Sequence, residues 1–217
     1  MASFLSRREI LKRAAAAGMT TAVPAHTLAQ VLPAGAATSF ENLTAPESRI
    51  LEAIIARLIP SDENGPGALE AGAARYIDRA LADALASSRA IYTAGLAALD
   101  AYARESAGQA FTELGAGEQD SVLEDLEQNL AGGFTPDAAT FFNLVLNHTL
   151  EGTFGDPAYG GNRDFIGWEM IGYPGIRLGV TAEQQRMDSF PEMTRVSAYD
   201  LPMFDADEAE EGEGEDG

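Results

Sequence analysis

Cysteine is absent from this chain of 217 residues. That excludes disulfides, thiolate-held iron–sulfur clusters and covalent attachment of a c-type haem to this polypeptide. Histidine is scarce, with His26 and His148 the only two. Lys12 is the single lysine. No run of about 18 apolar residues occurs, so nothing reads as a membrane-spanning helix. Strand-like alternation of apolar and polar residues is missing, and no segment repeats at a fixed period. What is present is an apolar content of 46%, enough at this length for one domain with a sizeable core.

Positive charge is also scarce. The formal net charge is −20. Without the first 36 residues, ten arginines face 33 acids, a net of −23. Such a surface repels nucleic acid and anionic lipid. It suits a basic partner, a saline medium, or plain solubility, and solubility is the simplest reading.

The basic residues that exist are concentrated at the start. Ser6-Arg7-Arg8-Glu9-Ile10-Leu11-Lys12 precedes a weakly apolar stretch from Ala14 to Val23, ended by Pro24. Small-residue cleavage candidates follow at Thr27-Leu28-Ala29 and Ala34-Gly35-Ala36. Basic, apolar and small-residue regions in this order form a signal peptide. Paired arginines with low hydrophobicity mark the twin-arginine type. The run resembles that consensus, with Arg7, Arg8, Leu11 and Lys12 in place and Ile10 at its bulky apolar position. A basic amphipathic helix is the alternative, but residues 14–24 have no amphipathic face. Twin-arginine export moves folded proteins, commonly to carry a cofactor inserted in the cytoplasm. This chain has no motif for holding one, so the cofactor is expected on a partner that travels with it.

After a linker at residues 36–41, the pattern is helical throughout. Thr44, Pro46 and Glu47 form a helix start, with Thr as cap and Glu three residues on. Ile50, Leu51, Ile54, Ile55, Leu58 and Ile59 make one apolar stripe, stopped by Pro60. Residues 61–67 read as a turn. A second helix is expected over 68–85, with Leu69, Ala73, Tyr76, Ile77, Ala80, Leu81 and Leu85 on one face. A third over 88–106 should bury Ile91, Gly95, Leu99 and Tyr102. A fourth over 118–130 uses Val122, Leu123, Leu126 and Leu130. Gly132-Gly133 breaks the chain, and Thr135-Pro136-Asp137 opens a fifth helix running to about Leu150. Phe141, Phe142, Leu144, Val145 and Leu146 leave that helix little polar face, so it belongs in the middle of the core. The expected fold is all-α, a compact bundle of about five helices.

Beyond it the composition changes. Residues 151–175 hold seven glycines together with Phe154, Tyr159, Phe165, Trp168 and Tyr173. Glycine with this many aromatics points to ordered loop rather than linker. Four regions follow: signal and linker over 1–36, the helical domain with its loop over 37–177, an extended arm over 178–204, and a tail over 205–217. The tail has eight acids and no base, the composition of a disordered segment.

Few residues could carry chemistry. His148, with Glu151 three residues on and Asp156 nearby, reads either as a general base or metal ligand, or as a core histidine with satisfied ring nitrogens. The core reading is favoured, since one histidine with carboxylates is a poor metal set. Asp62, Glu63 and Glu70 lack the dense alternate oxygens of a calcium loop. Gly155, Gly160 and Gly161 spell no dinucleotide fingerprint, and no strand precedes them. Trp168 and Tyr173 either pack the loop inward or face a partner.

Leu58-Ile59-Pro60-Ser61-Asp62, Gly65-Pro66-Gly67-Ala68, Glu70-Ala71-Gly72 and Tyr76-Ile77-Asp78 form one motif block. Glu151-Gly152-Thr153-Phe154-Gly155-Asp156-Pro157, Tyr159-Gly160-Gly161-Asn162, Gly167-Trp168 and Gly172-Tyr173-Pro174-Gly175 form a second. Together they resemble the gluconate 2-dehydrogenase subunit 3 family, over about residues 1–177 with the leader. The acidic tail is not part of that pattern.

The resemblance implies the small, or gamma, subunit of a periplasmic dehydrogenase complex. FAD would sit on a large glucose–methanol–choline-type subunit, with haem c on a cytochrome subunit, and no cofactor on this chain. Substrates would be sugars, polyols or sugar acids. The small subunit would serve maturation, export by the twin-arginine translocase and stability, without catalytic residues. The partner surface is expected at Phe154, Asp156, Pro157, Tyr159, Gly160, Gly161, Asn162, Trp168, Tyr173 and Pro174, with Trp168 and Tyr173 as anchors. A free-standing exported binding protein is the alternative, and an enzyme built on His148 and Glu151 a more distant one.

Overall fold

The computed structural model describes residues 40–63, 65–189, 192–201 and 203. The signal segment, including Arg7, Arg8, Leu11 and Lys12, and the acidic tail lie outside these residues. Among those described there are six α-helices and no strand: α1 Ala45–Leu58, α2 Ala73–Ala80, α3 Arg89–Ala107, α4 Ala116–Glu127, α5 Ala138–Phe154 and the short α6 Ile166–Met170. The all-α expectation holds. No helix among them is long and apolar enough to cross a membrane.

Helix α1 begins as its sequence dictates. The Glu47 amide donates to Thr44 Oγ1, and Glu47 Oε2 accepts from the Thr44 amide at 2.8 Å. The Glu47 carboxylate also takes both Arg89 terminal nitrogens, each at 2.9 Å, and the Thr93 hydroxyl at 2.9 Å. It thereby ties α1 to the first turn of α3. Burial raises its pKa, but Arg89, Thr44 and Thr93 together outweigh that and hold it at about 2. At the other end of α1, Arg57 grips Asp120 of α4 through two bonds of 2.7 and 2.8 Å.

Asp78 of α2 is a buried carboxylate. Its oxygens accept from three successive amides, Glu41 at 2.7 Å, Asn42 at 3.0 Å and Leu43 at 2.8 Å. A buried charge needs such partners. The chain is therefore fixed to α2 before α1 begins.

Helix α5 packs against each of the other five. Its central position follows from its composition, since Phe141 and Val145 face one side while Phe142, Leu144 and Leu146 leave the other partly covered. Phe141 meets Tyr92 edge-on at 6.2 Å and Phe134 at 5.7 Å.

The second helix is shorter than the expected 68–85. Gly72 stands at φ +83°, so residues 68–72 form turns and α2 starts at Ala73. Around Ala80 the Ala82 and Asp83 amides reach back only three residues, to Arg79 O at 3.1 Å and Ala80 O at 3.0 Å, so the helix closes in tighter turns, and the Leu85 amide ends the run on Ala80 O at 2.7 Å. Leu69 consequently points outward at 38% exposure. Two further apolar expectations differ. Ile91 lies on the outer side of α3, and Leu130 falls after the end of α4, so both are exposed.

Gly95 of α3 faces the Phe141 ring of α5. A methyl group there would sit 2.2 Å from the Phe141 ring. Gly95→Ala should destabilise the fold by about 1–3 kcal/mol despite the better helix propensity of alanine, because Phe141 is wedged between rings. Gly117, in the first turn of α4, has open space around it. Gly117→Ala should be neutral or slightly stabilising. Denaturant unfolding of both variants checks the contrast.

Candidate partner-binding surface

The chain at the end of α5 carries the densest motif, and its geometry begins with a backbone problem. A helix leaves its last carbonyls without intrahelical donors, and buried ones need partners. Gly152, Thr153 and Trp168 are all buried here. The donors come from the loop that follows. The Asn162 amide donates to Gly152 O at 2.7 Å, and Asn162 Nδ2 donates to Gly155 O at 2.8 Å. Trp168 Nε1 donates to Phe154 O at 2.9 Å. Asn162 Oδ1 accepts from the Gly167 amide at 2.8 Å. Asn162 is fully buried at φ +40°, a left-handed conformation that asparagine tolerates better than most residues.

The same loop joins the two motif blocks. The Arg163 amide donates to Ala71 O at 2.8 Å. Tyr76 donates its hydroxyl to Glu151 Oε2 at 2.9 Å, and burial with that bond pushes its pKa up to about 12. Gly152 permits the contact of α5 with α2, since a Cβ there would lie 2.9 Å from Ala73 Cα. A Cβ on Gly161 would lie 2.1 Å from Gly152 O, so the loop backbone itself presses on the helix.

Asp156 has a second role. Its Oδ1 accepts from the Ala158 amide at 2.9 Å and the Ser197 hydroxyl at 2.6 Å. Its Oδ2 accepts from the Ala198 amide at 2.8 Å. The carboxylate thus latches a segment 41 residues downstream. Tyr159 and Tyr199 meet above it through their hydroxyls at 2.8 Å.

Several residues expected on the partner surface therefore serve the fold. Trp168 is 3% exposed, packed against Phe165 and capped edge-on by Tyr173 at 4.9 Å. Asn162 and Gly161 are buried as well. The physical reason is the buried helix end, which draws their donors and their small size inward. Phe154, Asp156, Pro157, Gly160 and Pro174 are half-buried. Tyr159 and Tyr173 stay exposed, at 54% and 37%. Sequence reading missed Met170 and Ile171, which are exposed as well. The signal available was the short apolar run around Trp168, which α6 splits between an inner and an outer side.

His148 and Glu151 are not paired. His148 Nδ1 lies 3.0 Å from the Tyr92 hydroxyl, with the two rings stacked. Burial lowers the His148 pKa, and the nearby Glu151 only partly offsets this. Glu151 accepts from Tyr76 instead. Glu70 accepts from the Gly67 amide at 3.0 Å within its turn. Among the described residues no three of His, Cys, Asp and Glu are grouped to hold a metal ion.

The fold and this loop define a small helical scaffold whose motif residues cap and staple its central helix. The profile of the gluconate 2-dehydrogenase subunit 3 family matches residues 45–175, more than half of the chain, and the chain belongs to that family. No curated protein and no solved structure matches it.

Two predictions follow from the capping geometry. Asn162→Ala removes two side-chain hydrogen bonds at a buried site, leaving Gly155 O and the Gly167 amide without their partner, and should cost about 2–4 kcal/mol in denaturant unfolding. Trp168→Phe, which keeps a ring but loses the bond to Phe154 O, should cost about 1–3 kcal/mol. The Asp156 latch should respond to pH. Burial raises its pKa, but the Ser197, Ala198 and Ala158 donors prevail and bring it below the ordinary carboxylate value of 3.8. Its contribution is complete above that value and is lost as pH falls through the folded pKa. Amide exchange around Ser197 should rise on acidification in the wild type. In Asp156→Asn it should already be fast at neutral pH.

Proposed function

We propose that this chain is the non-catalytic small subunit of a periplasmic dehydrogenase complex. It supports the maturation, twin-arginine export and stability of a large glucose–methanol–choline-type subunit. That subunit holds FAD and oxidises a sugar, polyol or sugar acid, and a haem c subunit accepts the electrons. The observation that carries the reading is the family match over 45–175. The leader Ser6-Arg7-Arg8-Glu9-Ile10-Leu11-Lys12 supports export. The His148 and Glu151 geometry supports a structural rather than catalytic role for both, because each is bonded to a tyrosine of another helix.

Exposed apolar side chains support a partner beyond α5. Among the described residues twelve large ones stand exposed, and nine of them lie from Tyr159 onward. Isolated exposed apolar residues are ordinary, and their concentration in this last described stretch of the chain supports a partner contact there.

The test is export of the pair. Arg7 and Arg8 are both replaced by lysine, and cells producing this chain with its flavoprotein are fractionated. Both proteins should remain in the cytoplasm, with periplasmic dehydrogenase activity falling at least tenfold. Normal periplasmic yield of the two would refute the twin-arginine reading. Loss of this chain alone from the periplasm would refute its role as carrier.

A further inference from the structure

The family match ends at residue 175, and the chain then does something the helical body does not require. It was expected to run on as an extended arm. Instead it leaves at Gly175 and returns at Thr194. The Thr194 amide and hydroxyl both donate to Pro174 O, at 2.9 and 3.2 Å. Arg177 Nη2 donates to Glu192 O at 2.7 Å, forming a second rung. Just beyond, Arg195 pairs with Glu169 of α6, and Ser197 and Ala198 close on Asp156. The base of the excursion is thus tied to the scaffold at three places.

The outward part is different. Among the described residues, the hydrogen bonds of residues 178–189 stay within that segment. The Thr181 amide donates to Gln184 Oε1 at 2.9 Å, and the Gln185 amide donates to Thr181 O at 3.2 Å. Arg186 pairs with Asp188. The tip therefore holds its own turn. It exposes Leu178 at 70%, Val180 at 57% and Met187 at 103%. A segment with fixed ends, local hydrogen bonds and outward apolar side chains is preorganised for contact.

Charge indicates what it contacts. Residues 176–195 contain Arg177, Arg186 and Arg195 against Glu183, Asp188 and Glu192, a balance of zero in a chain of net −20. Charge is depleted at the core of protein interfaces. A second copy of the chain would bring another −20, and anionic lipid would be repelled likewise. A different, less acidic protein surface fits.

We propose that residues 178–187 form a docking finger, with Leu178, Val180 and Met187 seated in an apolar groove of the large dehydrogenase subunit. The proposal rests on the accessory-subunit reading above. The finger lies outside the matched family region.

The test uses the full complex. This chain is co-expressed with the large flavoprotein subunit proposed above, and the dissociation constant is measured for wild type, the Leu178→Asp/Met187→Asp double variant and Leu130→Asp. Leu130 is as exposed, at 65%, but stands on the helical body. The finger variant should lose about 100-fold in affinity with an unchanged thermal midpoint of the isolated subunit. Leu130→Asp should bind normally. A photo-crosslinking residue at position 187 should join the flavoprotein, and one at position 130 should not. Wild-type affinity in the double variant, or a crosslink from 130 alone, overturns the finger while leaving the subunit role intact. Absence of any wild-type complex with the flavoprotein overturns the subunit role and the finger together. A wild-type homodimer dispersed by the double variant overturns the finger's assignment in favour of a second copy.

Discussion

The buried C-terminal end of α5 is the constraint on which the rest of the structure depends. A helix apolar nearly all round must lie in the middle, and a helix in the middle ends inside the protein. Its last carbonyls then need donors that water cannot supply. Asn162 and Trp168 bring them, the glycines let their backbone come close enough, and Arg163 carries the same loop across to Ala71. One requirement thus explains why two motif blocks some 80 residues apart in sequence converge at α2 and α5.

Three carboxylates act in a similar way on irregular chain. Glu47 gathers Thr44, Thr93 and Arg89, Asp78 gathers residues 41–43, and Asp156 gathers residues 197–198. Asp78 and Asp156 collect donors from segments outside the α-helices, whereas Glu47 joins the Thr44 cap to Arg89 and Thr93 of α3. A chain this acidic has carboxylates to spare, and placing them against backbone amides uses negative charge for cohesion without needing more arginine.

Much of this was legible in advance. The Thr44–Glu47 box, the stripe of α1, the body of α3 and the central place of α5 follow from local spacing, where propensity and burial agree. The shortened α2 was not legible, because alanine-rich residues 68–85 fit a helix equally well, and only the Gly72 conformation decides against it. Trp168 illustrates a deeper limit. Composition shows that an aromatic lies in a glycine-rich loop, but whether its ring turns inward depends on an unpaired carbonyl contributed by Phe154, fourteen residues earlier. The returning path after Gly175 depends likewise on long-range bonds from Thr194 and Arg177 that no periodicity announces.

The Asp78 staple has a mechanical consequence. Residues 41–43 stand at the threshold of the helical body, and all three amides converge on one side chain of α2. A pull on the chain ahead of Phe40 is met there before it reaches the first turn of α1. The load passes into α2, which is itself clasped to α5, and so is spread over the core rather than peeling one helix away. Under the export proposed above, this staple would serve as the tow point.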